Sequence, residues 1–112
     1  MALNRIETLC NNLEELENAV PFLQSLADWP EAQKILTYID SKLVLYQEEL
    51  FQLLKKYMKN LIIDEGSDYY EDNFTKLVED VVNDCRNPYL DSMLNNPDSK
   101  IWELPVEIFN EN

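Results

Sequence analysis

The sequence predicts an all-α protein: an irregular four-helix bundle built on one long central helix, with an extended C-terminal tail packed on it. Three observations lead there. Apolar residues recur at spacings of three and four along most of the 112 residues, which is the period of a helix face. Neither glycine nor proline occurs between Glu31 and Glu65, so nothing interrupts that stretch. The two-residue period of a strand occurs once, after residue 100, and a lone strand has no sheet to join. An apolar content of 46% spread along the chain argues against disorder, and the length fits one acidic helical domain over residues 1–112.

The first helix is expected over about residues 4–19, where Leu3, Ile6, Leu9, Cys10, Leu13, Leu16 and Val20 form one stripe. Asn4 and Glu7 make a capping pair at its start, and Pro21 ends or kinks it. Asp28-Trp29-Pro30-Glu31 is a start signal, with Asp28 as cap and proline in the first turn, and it opens a helix over about 29–63. Ile39, Leu43, Tyr46, Leu50, Leu53 and Tyr57 run along it like a heptad seam, with Leu36, Val44, Phe51, Met58 and Ile62 in a second stripe beside them. Unbroken, this helix is about 50 Å long, against a radius of gyration near 13 Å for a compact chain of this size. It must therefore bend, protrude, or be covered by another subunit.

Gly66 is the natural terminator of that helix, and Lys55, Lys56 and Lys59 in the turns before it suit the helix dipole. A third helix over about 68–86 follows, opened by Ser67 or Asp68 with Glu71 and carrying Phe74, Leu77, Val78, Val81, Val82 and Cys85 on one face. Asn87-Pro88 ends it and begins a short helix over about 88–95, and Asn95-Asn96-Pro97-Asp98-Ser99 is a turn cluster. In the tail, about 100–109, Trp102, Leu104, Val106 and Ile108 alternate with Glu103, Pro105 and Glu107, which predicts an extended strap over the helices. A short turn of helix beginning at Pro105 is the alternative.

Composition narrows the function. There is no histidine, hence no imidazole base, no Ser/His or Cys/His nucleophile pair and no histidine metal ligand, and one glycine cannot build a phosphate cradle. The carboxylates at Glu14/Glu17 and at Asp64/Glu65/Asp68 lack the register of a calcium loop. These absences point to a protein that is not an enzyme and takes no metal or cofactor. The net charge of −13 opposes direct binding to nucleic acid or to an anionic membrane, and no run is long and apolar enough to span a bilayer. The acidic, amphipathic amino terminus is unlike a secretory signal, so a cytoplasmic protein with Cys10 and Cys85 reduced is expected.

The acidity is local. Residues 1–59 hold nine acids and six bases, net −3, whereas residues 60–112 hold thirteen acids and three bases, net −10. Asp64, Glu65, Asp68, Glu71, Asp72, Glu79, Asp80 and Asp84 stand there against Lys76 alone, and Asp68/Asp72 and Asp80/Asp84 are like-charge i, i+4 neighbours on the predicted helix. Tyr69 and Tyr70 lie among them, and two adjacent tyrosines set between Asp68, Glu71 and Asp72 at a helix start cannot both point inward, so one should be exposed. Gly66-Ser67-Asp68-Tyr69-Tyr70 resembles the Gly-Ser-Asp and Tyr-Tyr elements of the small acidic helical immunity proteins that block DNase-type bacteriocins, without the residues that separate the two elements in that family. The resemblance implies a mode of action, in which a small acidic helical protein occupies the nucleic-acid surface of a basic nuclease.

The expected function is thus a noncatalytic binding protein that neutralises a basic protein partner, in the manner of an immunity protein, antitoxin or nuclease inhibitor. Its candidate contact residues are Asp64, Glu65, Asp68, Tyr69, Tyr70, Glu71, Asp72, Asp80 and Asp84. Ile101, Trp102 and Leu104 are a second candidate, either lid residues or a docking peptide for a partner's groove. Two other readings stand beside this one: a nucleic-acid mimic of the anti-restriction or anti-CRISPR kind, and a structural subunit forming a homodimer through the long helix.

Overall fold

The computed structural model describes residues 3–111 and is helical throughout, with no strand among the described residues. Six α-helices and one 3-10 turn succeed one another: α1 (Leu3–Gln24), α2 (Pro30–Glu65), α3 (Ser67–Glu71), α4 (Phe74–Cys85), α5 (Pro88–Leu94), the 3-10 turn (Lys100–Glu103) and α6 (Leu104–Asn110).

The long helix is unbroken. Its 36 residues span about 54 Å at 1.5 Å per residue, which accounts for the 55 Å longest dimension of a molecule only 25 by 22 Å across. It therefore protrudes, and the radius of gyration rises to 16.4 Å. Pro30 occupies its first turn as expected, but the cap position is Trp29 and Asp28 makes no capping bond. At the far end Gly66 donates its backbone N–H to the Ile62 carbonyl at 2.8 Å with φ +91°, a conformation that favours glycine.

α1 folds back along α2, and this is the most extensive helix pairing of the fold. It runs past Pro21 to Gln24, where residue 19 was the expected end. Pro21 is exposed and opens the last turn, so its ring meets solvent and it forfeits only one ladder bond. Leu3 already belongs to the helix, which places Asn4 inside it and not at its cap.

One continuous core joins α1 (Ile6, Leu9, Cys10, Leu13), the second half of α2 (Leu50, Leu54, Met58) and every later element. Ala32 and Ile39 are buried too, but stand outside that cluster, in the part of the hairpin that extends beyond it. Both cysteines are free thiols, Cys10 buried and Cys85 half-buried. Burial pushes them up, to about 12 and about 11 respectively, so neither is an activated nucleophile.

The expected third helix is two helices. Asn73 accepts the Lys76 backbone N–H at 3.1 Å and caps α4, so the chain turns at Asp72–Asn73 and α3 is left as a short separate helix. Asp68 and Asp72 therefore do not share a helix face in the way the sequence suggested.

The tail is likewise helical and not extended. Ile101, Leu104, Pro105 and Ile108 are its buried residues, an i, i+3, i+4, i+7 pattern, and Pro105 lies in the first turn of α6, where a missing N–H costs nothing. Ile101 and Leu104 belong to the core, and Trp102 is half-buried with its Nε1 donating to the Asn96 carbonyl at 3.0 Å. The segment is thus built into the bundle and presents no free docking peptide.

Candidate protein-binding surface

Gly66 reverses the chain at the C-terminal end of α2, and α3 distributes its five residues around the resulting corner. Tyr70 points inward and is 2% exposed, whereas Tyr69 is 48% exposed. The two rings meet edge to face at 4.8 Å, and the Lys76 ammonium stands 5.7 Å over the Tyr69 ring. Ser67 and Glu71, one turn apart, face the other way, into a groove between α2, α4 and α6.

That groove is open and holds about 720 Å³. Ile62, Ile63, Phe74, Ile108 and Phe109 supply its apolar lining, with the Phe74 and Phe109 rings stacked at 5.1 Å. Ile63 is 77% exposed, the most exposed of the large apolar side chains among the described residues. Sequence reasoning missed this groove, whose lining comes from helices far apart in the chain; in the sequence Ile62 reads only as part of the second stripe of the long helix.

Charge around the groove is asymmetric. On the α6 side Lys55 and Lys59 both bind Glu111, at 2.5 and 2.8 Å, and these hydrogen bonds pull its carboxyl down to about 2. Among the described residues the acids on the α3 side have no such partners. Asp64 and Glu65 occupy the last turn of α2, which contains no basic residue, so two carboxylates sit on the negative end of the helix dipole. Asp68, Glu71 and Asp72 follow, all exposed. Like-sign charge at such a helix end costs about 0.3–1 kcal/mol per residue, and a cation placed there relieves it.

The remaining acids of the predicted face have other work. Asp80 is half-buried and accepts the Tyr70 hydroxyl at 2.8 Å and the Lys76 ammonium at 3.3 Å. Asp84 accepts the Tyr57 hydroxyl at 2.9 Å. The structure thus gathers Asp64, Glu65, Asp68, Tyr69, Glu71 and Asp72 at one corner, and engages Tyr70, Asp80 and Asp84 in the packing behind it.

No protein family, curated protein or solved structure matches the chain. The functional reading therefore rests on the chemistry of this surface. Among the described residues no group of three or more acidic or cysteine side chains is arranged to hold a metal ion, and no helix is long and apolar enough to cross a membrane. A smaller cleft of about 250 Å³ lies beside Phe51 and Leu104, where Lys55 and Lys100 alternate with Glu48 and Glu107. Its charges balance, unlike those of the corner.

Proposed function

We propose that this chain is a noncatalytic acidic binding protein that neutralises a basic protein partner by covering its functional surface. The observation supporting this most strongly is the conjunction at the end of α2: an apolar groove containing the exposed Ile63, with uncompensated Asp64, Glu65, Asp68, Glu71 and Asp72 beside it. A segment that presents an apolar anchor flanked by lysine or arginine matches it on both counts. The anchor displaces water from the groove, and the flanking cations meet the helix end, where they also steer the encounter. Tyr69, held edge-on by Tyr70, adds a rigid amphipathic contact at low entropic cost.

The test uses an amphipathic helical peptide, with leucine at spacings of three and four on one face and lysine elsewhere, as the probe, titrated by calorimetry at low and high salt. Ile63→Asp should weaken binding about tenfold or more by removing the anchor. The joint change of Asp64 and Glu65 to amides, with Asp68→Asn and Asp72→Asn, should flatten the salt dependence. Equal affinity for the wild type and both variants would overturn the proposal.

A further inference from the structure

The part of the α1–α2 hairpin that extends beyond the core exposes an apolar line of its own. Ala32, Leu36, Ile39, Leu43, Tyr46 and Leu50 form the α2 seam that carries its buried and half-buried side chains. One residue earlier at each step runs a second seam: Glu31, Ile35, Tyr38, Lys42, Leu45 and Glu49, with the same alternating spacing of four and three. Ile35 is 46%, Tyr38 59% and Leu45 55% exposed, on a helix whose neighbour already covers the adjacent seam. A shallow groove between the helices reaches this line at Tyr38 and Lys42, and Arg5 of α1 bonds Glu49 at its end.

We propose that this seam pairs with the same seam of a second copy of the chain, antiparallel, about a two-fold axis at the level of residue 40. The pattern is its own complement. Reversed, it sets Ile35 against Leu45, Tyr38 against Lys42, and Glu31 against the Arg5–Glu49 pair. A two-fold interface requires that kind of reciprocity. The Lys42 ammonium already lies 5.6 Å over its own Tyr38 ring, and the pairing brings a second tyrosine within its reach. Arg5 uses its Nε and one terminal nitrogen on Glu49, which leaves N–H donors free for the incoming Glu31.

Charge places the second copy here and not elsewhere. The seam lies in the half of the chain with net −3, and antiparallel pairing sends the two −10 halves to opposite ends. Residue 65 is about 38 Å along the helix from residue 40, so the two acidic corners stand about 75 Å apart, many times the screening length of physiological salt. Parallel pairing would bring them side by side. The contact runs about 27 Å from Glu31 to Glu49, a small interface, for which a dissociation constant of about 1–100 µM is expected. Both acidic corners remain open in such a dimer.

Sedimentation equilibrium of the full chain tests the proposal. Wild type should show a monomer–dimer equilibrium, and Ile35→Lys or Leu45→Glu should each weaken it at least tenfold while circular dichroism stays unchanged, both positions being exposed. Mixing the two variants should restore a heterodimer, because Lys at 35 of one chain then faces Glu at 45 of the other. A wild type that stays monomeric to about 1 mM, a dimer indifferent to either substitution, or variants that fail to recover on mixing would overturn it.

Discussion

The Tyr70 hydroxyl donates to the Asp80 carboxylate at 2.8 Å, tying the five-residue α3 to α4 through a side chain that is 2% exposed. The same device recurs twice. Tyr57 joins α2 to Asp84 of α4 at 2.9 Å, and Tyr89 joins α5 to Glu17 of α1 at 2.7 Å. Three phenol–carboxylate bonds thus link five of the helices, and they convert part of the chain's excess acidity into structure.

Tyr70→Phe keeps the ring and removes the bond. A hydrogen bond to a charged acceptor contributes about 1.5–3 kcal/mol, and Asp80 retains Lys76, so a loss of about 1–2 kcal/mol is expected in urea unfolding. Because α3 carries the exposed Tyr69, the same variant should also raise amide exchange over residues 67–71.

Alkaline pH should release all three bonds. Burial, and then the carboxylate acceptor, push Tyr57 up to about 12, and push Tyr70 and Tyr89 well above the usual phenol range. A folded-state value above the unfolded one contributes stability that is fully present below about pH 10 and is lost as pH rises through the folded value. The urea midpoint should therefore fall progressively from about pH 10 upward. Replacing the three tyrosines by phenylalanine should lessen that fall, leaving the part due to the buried thiols Cys10 and Cys85.

Arg86 ends α4 with φ +50° and ψ +47°, the left-handed region, without being glycine. Arg86→Gly removes the steric cost of that conformation, about 1–2 kcal/mol, and adds chain entropy to the unfolded state. A net gain of about 0.5–1 kcal/mol is expected, read as a higher urea midpoint with an unchanged slope.

Leu104→Ala tests whether the C-terminal segment belongs to the core. As a 1% exposed residue packed within the main cluster, its truncation should cost about 2–5 kcal/mol. A segment merely lying on the surface would lose far less.

How much of this was legible in the sequence depends on what set each element. The long helix, the amphipathic α4 and Pro88 opening α5 follow from periodicity and caps, which are local properties. The break at Asn73 was less legible, because Ser67 and Asp68 offer an earlier start signal, although Asn73 stands directly before the first residue of the apolar pattern, Phe74. The tail misled because Trp102, Leu104, Val106 and Ile108 alternate, while the residues that are buried, Ile101, Leu104, Pro105 and Ile108, require Pro105 to be counted as an apolar contact. The acidic corner could be located from charge alone. The apolar groove beside it could not, since Phe74 and Phe109 lie 35 residues apart in the chain and meet only through the folding of α6 onto α4.

A basic partner is expected to bind where Ile63 and the α3 acids meet. Amide chemical-shift mapping of the labelled protein, titrated with the lysine–leucine peptide at physiological salt, tests it most directly. Shifts should concentrate at residues 62–74 and at Ile108 and Phe109, and be lost in Ile63→Asp. Shifts confined to the hairpin around Ile35 and Leu45, or scattered over every acidic residue and unchanged in that variant, would contradict it.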